Sequence, residues 1–208
     1  MDRPTRIPLF PLDVVLFPKM PLPLHIFEPR YKVMIRRCLK EKLEFGLVLA
    51  ASQGAATVGC TAEIMRTVRE YPDGRMDILT EGRAVFRLDD LIDEKEYYEG
   101  RVEYLADNPF LRDLEKEAKL LEAYSECHAL LVGQAWPGVL PEENSILTYR
   151  LAAQLPVELE TRQMLLEMRS ESERRSRLLS WISEFLPKLK ESQRVQQLAS
   201  GNGHGYVN

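Results

Sequence analysis

Cysteine and histidine are scarce in this chain of 208 residues, with three of each. Cys38, Cys60 and Cys127 form no Cys-x-x-Cys pair. A sparse, odd set argues against a disulfide framework and predicts buried free thiols in a reducing compartment, hence a cytoplasmic protein. Cys127-His128 is the only adjacent Cys–His pair, and neighbouring helical residues face different ways. No metal and no other cofactor is therefore expected. None of the 11 glycines precedes a lysine, so the sequence has no Gly-x-x-x-x-Gly-Lys-[Ser/Thr] phosphate loop. It has no Gly-x-Ser-x-Gly nucleophile elbow either. No apolar run reaches the ~18 residues of a membrane span, and the first residues lack the apolar core of a signal peptide. With 28 Lys+Arg against 32 Asp+Glu the net charge is −4, which disfavours broad contact with a nucleic-acid backbone.

Apolar residues, by contrast, make up 45% of the chain, enough for a substantial core. They begin in a proline-dense stretch, Ile7-Pro8-Leu9-Phe10-Pro11-Leu12 and Val14-Val15-Leu16-Phe17-Pro18. Proline removes a ladder donor, so this pattern predicts short strands broken by bends. Pro29 suits the first turn of a helix. Tyr31, Met34, Ile35, Cys38 and Leu39 follow with helical spacing, and Lys32, Arg36, Arg37 and Lys40 take the other faces. Residues 45–51 read as a buried strand. Val58, Cys60, Ala62, Ile64 and Val68 share one parity of a half-buried strand. Tyr71-Pro72-Asp73-Gly74-Arg75 is a turn, and residues 76–80 return as its partner. Gly82 reads as punctuation before further short strands at 84–88 and 98–104.

From Asn108 the period becomes helical. Asn108-Pro109 predicts a helix start, with Leu111, Leu114, Ala118, Leu121, Tyr124 and Leu131 on its faces and Trp136-Pro137-Gly138 at its end. A second helix is expected over 145–155 and a third from Pro156. Ser170 with Glu173 forms a capping box for a fourth. Pro187 should break or kink that helix. The charges from Arg169 to Arg177 read as a solvated face, and Trp136 and Trp181 as core anchors. The divisions expected are 7–107 for the strand-rich part, 108–199 for the helical part and 200–208 for a disordered tail.

Three blocks carry a family resemblance. They are the proline-dense opening, Val58-Gly59-Cys60-Thr61-Ala62-Glu63-Ile64, and the run from Pro72 through Asp77-Ile78-Leu79-Thr80-Glu81-Gly82-Arg83. In order and spacing they resemble the Lon protease N-terminal, substrate-binding domain. His25-Ile26-Phe27-Glu28-Pro29-Arg30-Tyr31 is similar to its stand-alone versions, and Leu155-Pro156-Val157-Glu158-Leu159 to its helical continuation. The resemblance implies an α+β fold. This would be a PUA-like antiparallel β-barrel of about six strands with one inserted amphipathic helix, followed by a C-terminal helical bundle. It implies capture of unfolded or extended polypeptide, or an adaptor role for a protein partner, with neither ATP hydrolysis nor proteolysis. The candidate groove lies between barrel and first helix, at His25, Phe27, Glu28, Arg30, Tyr31, Arg36 and Arg37. A structural reading of Glu28, Arg30 and Tyr31 stands beside it: helix-end charge, ion pair and inward packing. Two other functions stay open. One is RNA binding through Arg30, Lys32, Arg36, Arg37, Lys40 and Lys42, against which the acidic total weighs. The other is small-molecule binding in the barrel mouth. The apolar face around Trp181 would either complete the bundle or pair with a second copy.

Overall fold

A computed structural model describes residues 3–51, 54–138, 140 and 144–201. Its strands are β1 Arg6–Leu12, β2 Pro21–Ile26, β3 Phe45–Ala51, β4 Gly54–Glu70, β5 Met76–Ile92 and β6 Glu99–Tyr104. Its helices are α1 Pro29–Glu41, α2 Leu114–Val132, α3 Leu147–Ala153, α4 Leu159–Glu167 and α5 Glu171–Gly201. Two compact units result. One comprises Met1–Asn108 with Ala152–Arg169, the other Pro109–Leu151 with Ser170–Asn208. The sequence boundaries carry no sign of the return at 152–169. Two contacts within the first unit hold its exit and re-entry together: the Asn108 N–H donates to the Arg169 carbonyl at 2.7 Å, and Arg169 approaches Asp107 at 3.4 Å.

In the first unit the strand order is β2-β5-β4-β3-β1-β6, and β6 also pairs with β5. The pairings thus run in a circuit through β1, β3, β4, β5 and β6, with β2 added outside it. One pairing corrects the all-antiparallel expectation: β1 and β3 are parallel, from Leu9 opposite Gly46 to Leu12 opposite Leu49. Parallel neighbours need a crossover of a dozen or more residues, usually helical, and the chain supplies it as β2 followed by α1. The sheet is therefore mixed. Ile7, Leu9, Val48, Phe86 and Val102 form a buried cluster, with Leu88, Tyr98 and Tyr104 packed on it. Residues Tyr31, Met34, Ile35 and Cys38 bury the inner stripe of α1, whereas Leu39 is partly exposed.

The 71–75 turn forms as the sequence predicts. Gly74 sits at φ +81°, its N–H donates to the Tyr71 carbonyl at 2.8 Å, and the Asp73 carboxylate accepts from the Arg75 N–H at 3.1 Å. Gly74→Ala would force a Cβ into left-handed backbone and onto the Arg36 guanidinium. It should cost about 1 kcal/mol, read as a lower urea midpoint with unchanged slope. Gly82 is not punctuation, because β5 runs straight through it. A Cβ there would lie 2.2 Å from the Phe17 carbonyl oxygen, so the glycine lets the 13–20 segment cross close to the strand.

The second unit departs further from expectation. Helix α2 starts five residues late, capped by Asp113, whose carboxylate accepts from the Lys116 N–H, and ends at Gly133 (φ +75°) rather than at Trp136. Its buried stripe is Glu117, Leu120, Tyr124 and Cys127, while Leu111 and Leu114 are exposed. Helix α5 continues through Pro187 to Gly201, and the expected tail lies, from residue 202, outside the described residues. Three contacts order α2 against α5: Glu117 with Arg175, Glu126 with Lys190, and the Leu130 carbonyl with Gln193. The pairing rises together along both helices, so they run side by side in one direction. Trp181 is buried and stacks on Phe185 with centroids 4.6 Å apart.

The expectation of a solvated face from Arg169 to Arg177 fails here. Glu171, Arg174 and Arg175 are buried with Glu117 in one ionic network. Arg174 and Arg175 donate to Glu171 at 3.0 and 2.9 Å, and Arg175 also donates to Glu117 at 2.9 Å. Thr148 bonds Glu171 through both its N–H and its hydroxyl, and the Arg174 guanidinium lies 4.3 Å from the Tyr149 ring centroid.

Candidate functional site

Strand edges expose unpaired main-chain groups, and β2 and β4 each present one. The first is the outer side of β2. The Gly82 N–H donates to the Met20 carbonyl, so by two-residue alternation Leu22, Leu24 and Ile26 make the bonds to β5. Pro21, Pro23 and His25 then face outward. Two of those three have no N–H, so this edge is blunted as natural edges commonly are.

The second edge belongs to β4. Strand β3 pairs with it only as far as Ala62, opposite Phe45. Beyond that point, among the described residues, β4 has β5 on one side and no strand on the other. The register to β5 shifts between Cys60 and Ala62, between Ile64 and Arg66, and between Thr67 and Arg69. At the first shift the extra residue is on β5, where Arg83 and Ala84 stand against Thr61; the other two leave one extra residue each on β4, Met65 and Val68. A bulge re-aims the side chain it carries. Here both β4 bulges turn a large apolar group outward, Met65 at 48% and Val68 at 59% exposure.

Helix α1 lies along this open arm. Cys38, Leu39, Lys42, Leu43, Glu63 and Ile64 line a cavity of about 250 Å³ at its inner end. Farther out, Arg36 approaches Glu70 at 3.9 Å, and the Lys32 ammonium donates to the Asp73 carbonyl at 3.2 Å. These contacts place α1 alongside β4 from Glu63 to Glu70.

A hydrogen-bonded cluster closes the outer end. His25 Nδ1 lies 2.6 Å from Asp77 Oδ1, and the Tyr71 hydroxyl donates to Asp77 Oδ2 at 2.8 Å. These bonds, His25 first and Tyr71 second, hold the Asp77 carboxyl below the usual carboxylate range. The same carboxylate pushes the Tyr71 phenol up. Arg69 and Arg75 cover the Tyr71 ring at 4.5 and 5.0 Å, and Phe27 stacks beside His25 at 6.0 Å. No serine, cysteine or lysine side chain bonds to this cluster among the described residues. Its geometry stiffens the hairpin and prepares no nucleophile.

The seven residues singled out from the sequence separate into three groups. His25, Phe27 and Arg36 lie at the hairpin end. Glu28 and Arg30 pair with each other at 2.7 Å, the Arg30 guanidinium covers Tyr31, and Tyr31 is a buried residue stacked on Phe10 at 4.0 Å. Arg37 turns to Glu99 at 2.7 Å and to the Tyr97 hydroxyl at 3.0 Å. Sequence reasoning missed Met65, Val68 and Asp77. Asp77 stands two residues past the recognised turn, but its cross-strand partner is invisible in sequence.

Burial pushes the Cys38 and Cys60 thiols up to about 12, which makes both unreactive at neutral pH. Among the described residues no group of three or more His, Cys, Asp or Glu is placed to hold a metal, and no helix is long and apolar enough to cross a membrane.

Residues 6–184 match the family model of the ATP-dependent protease La (LON) substrate-binding domain. The chain is 31% identical over 211 residues to the Lon protease of Escherichia coli K12, covering 92% of this chain and 26% of that protein. It is 33% identical over 122 residues to the Lon protease of Parabacteroides distasonis, covering 54% and 15%. The chain thus spans about a quarter or less of the length of these relatives. Among solved structures, the Lon N-terminal domain protein from Xanthomonas campestris aligns with a TM-score of 0.70 at 26% identity, over 85% of this chain and 98% of that one. The N-terminal domain of the Mycobacterium avium complex Lon protease aligns with a TM-score of 0.61 at 16% identity, over 86% and 98%, a likeness of fold alone.

Proposed function

The chain belongs to the Lon substrate-binding domain family, and we propose on that basis that it is a non-catalytic protein-binding module that takes up unfolded or extended polypeptide. The match over residues 6–184 carries the reading. The strand circuit supports describing the first unit as a PUA-like barrel with β2 appended. The lack of a phosphate loop and the raised thiols support a role in binding rather than in turnover. A cytoplasmic setting fits three buried free cysteines.

The test is dilution of a chemically denatured client into buffer with and without the full chain, followed by light scattering. An equimolar amount of the chain should slow aggregation with no ATP present. Scattering curves that superpose over a range of molar ratios would remove the reading.

A further inference from the structure

We propose that the open edge of β4, residues 63–70, is the docking strand, and that its occupant is an extended polypeptide segment carrying apolar and acidic side chains. The proposal rests on the polypeptide-binding reading and names the site and ligand chemistry for it. Three observations carry it. The main chain of β4 beyond Ala62 lacks a strand on its α1 side among the described residues, which is the requirement for strand addition. Two bulges on this arm turn Met65 and Val68 outward, 48% and 59% exposed, with Met65 keeping one contact, its sulfur 3.6 Å from Arg83 Nη2. The third is charge. Lys32, Arg36, Lys42, Arg66, Arg69 and Arg75 stand along this arm and its turn, against Glu63, Glu70, Asp73 and Asp77, of which Glu63 is bound to Arg83 and Asp73 to Arg75. Six cations against four carboxylates is a local excess in a chain of net charge −4. It favours an acidic partner and disfavours a basic one. The blunted β2 edge leaves β4 as the better donor of paired main-chain bonds.

The experiment uses the full chain and a fluorescein-labelled, end-capped ten-residue peptide of alternating valine and glutamate. Fluorescence anisotropy compares it with the same peptide N-methylated at alternate residues, and with a valine–lysine version. N-methylation removes the donors of one peptide edge and leaves the protein untouched, so protein folding does not enter. Binding should weaken about tenfold or more on N-methylation, as loss of one or two net main-chain hydrogen bonds implies. It should weaken similarly in the Met65→Ser/Val68→Ser protein and for the lysine peptide. Equal binding of the N-methylated peptide, or equal binding by the double variant, would overturn the site. So would a concentration-dependent dimer, abolished by the double variant, with no peptide bound: the edge then belongs to a second copy. The client assay separates the two claims. If wild type and double variant slow aggregation equally, the polypeptide-binding reading stands and the β4 edge is wrong. If wild type itself is inactive, the broader reading has failed.

Discussion

Glu171→Leu should destabilise the second unit by about 3–5 kcal/mol, the usual cost of removing one partner from a buried ion pair. The carboxylate is almost wholly buried and receives four groups: the guanidinia of Arg174 and Arg175, and the N–H and hydroxyl of Thr148. Both arginines are themselves buried, so neither can swing to water when the carboxylate goes. Arg175 would keep Glu117, at 2.9 Å, and Arg174 would keep the Ser145 carbonyl and the Tyr149 ring. One net positive charge would remain inside the helices, and the Thr148 amide would lose its acceptor. A loss of that size is a large part of a domain's total stability of roughly 5–15 kcal/mol. Urea unfolding followed by tryptophan fluorescence should show it, because Trp181 lies on the same helix. Glu171→Gln should fall between wild type and Glu171→Leu, since an amide oxygen still accepts some of these bonds. A Leu variant within 1 kcal/mol of wild type would mean that water or another carboxylate reaches the network.

This network also shows why part of the fold was legible in the sequence and part was not. Glu171, Arg174 and Arg175 stand at helical spacings common on solvated surfaces, and nothing in the spacing distinguishes burial from exposure. The partner that decides it, Glu117, lies on another helix. Helix α1 was readable because its apolar stripe, its initiating Pro29 and its basic outer face agree locally. The 71–75 turn was readable for the same reason. Bulges defeat alternation: a single extra residue at Met65 and again at Val68 flips the parity, so Val68 was placed inward and stands in solvent. The parallel pairing of β1 with β3 depends on where a crossover returns, which no local pattern encodes. Helix boundaries in the second unit moved because Asp113 and Gly133 outcompete Asn108 and Trp136-Pro137-Gly138 as caps. Of the candidate groove, the sequence offered the α1 side and His25. The strand side needed the register.

The second large effect is acid-dependent and centres on Glu99. Although charged, its side chain is only 4% exposed. Arg6 of β1 donates to it at 2.6 Å, Arg37 of α1 at 2.7 Å and Lys95 at 2.8 Å. It therefore joins the first strand, the helix and the last strand of the first unit. Burial pushes the carboxyl up, but hydrogen bonds from Lys95, Arg37 and Arg6 outweigh it and bring the carboxyl down to about 2, against an ordinary 4.5. A carboxyl that is more acidic in the folded state stabilises fully above its unfolded value. It loses that contribution as pH falls from about 4.5 through 2. The stabilisation at pH 7 is on the order of 2–3 kcal/mol by linkage. The three cations are each a third or more exposed, so they regain water when the carboxylate is lost, which keeps the cost below that expected at Glu171. Glu99→Gln should accordingly be less stable than wild type by about 2 kcal/mol at pH 7. The difference should shrink steadily below pH 4.5 and vanish only below pH 2, once Glu99 is protonated in the folded state and both side chains are neutral. Urea midpoints of the two proteins across that range measure it directly. A gap that stays constant from pH 7 down to 2.5 would show that the charge of Glu99 is not what its three partners hold.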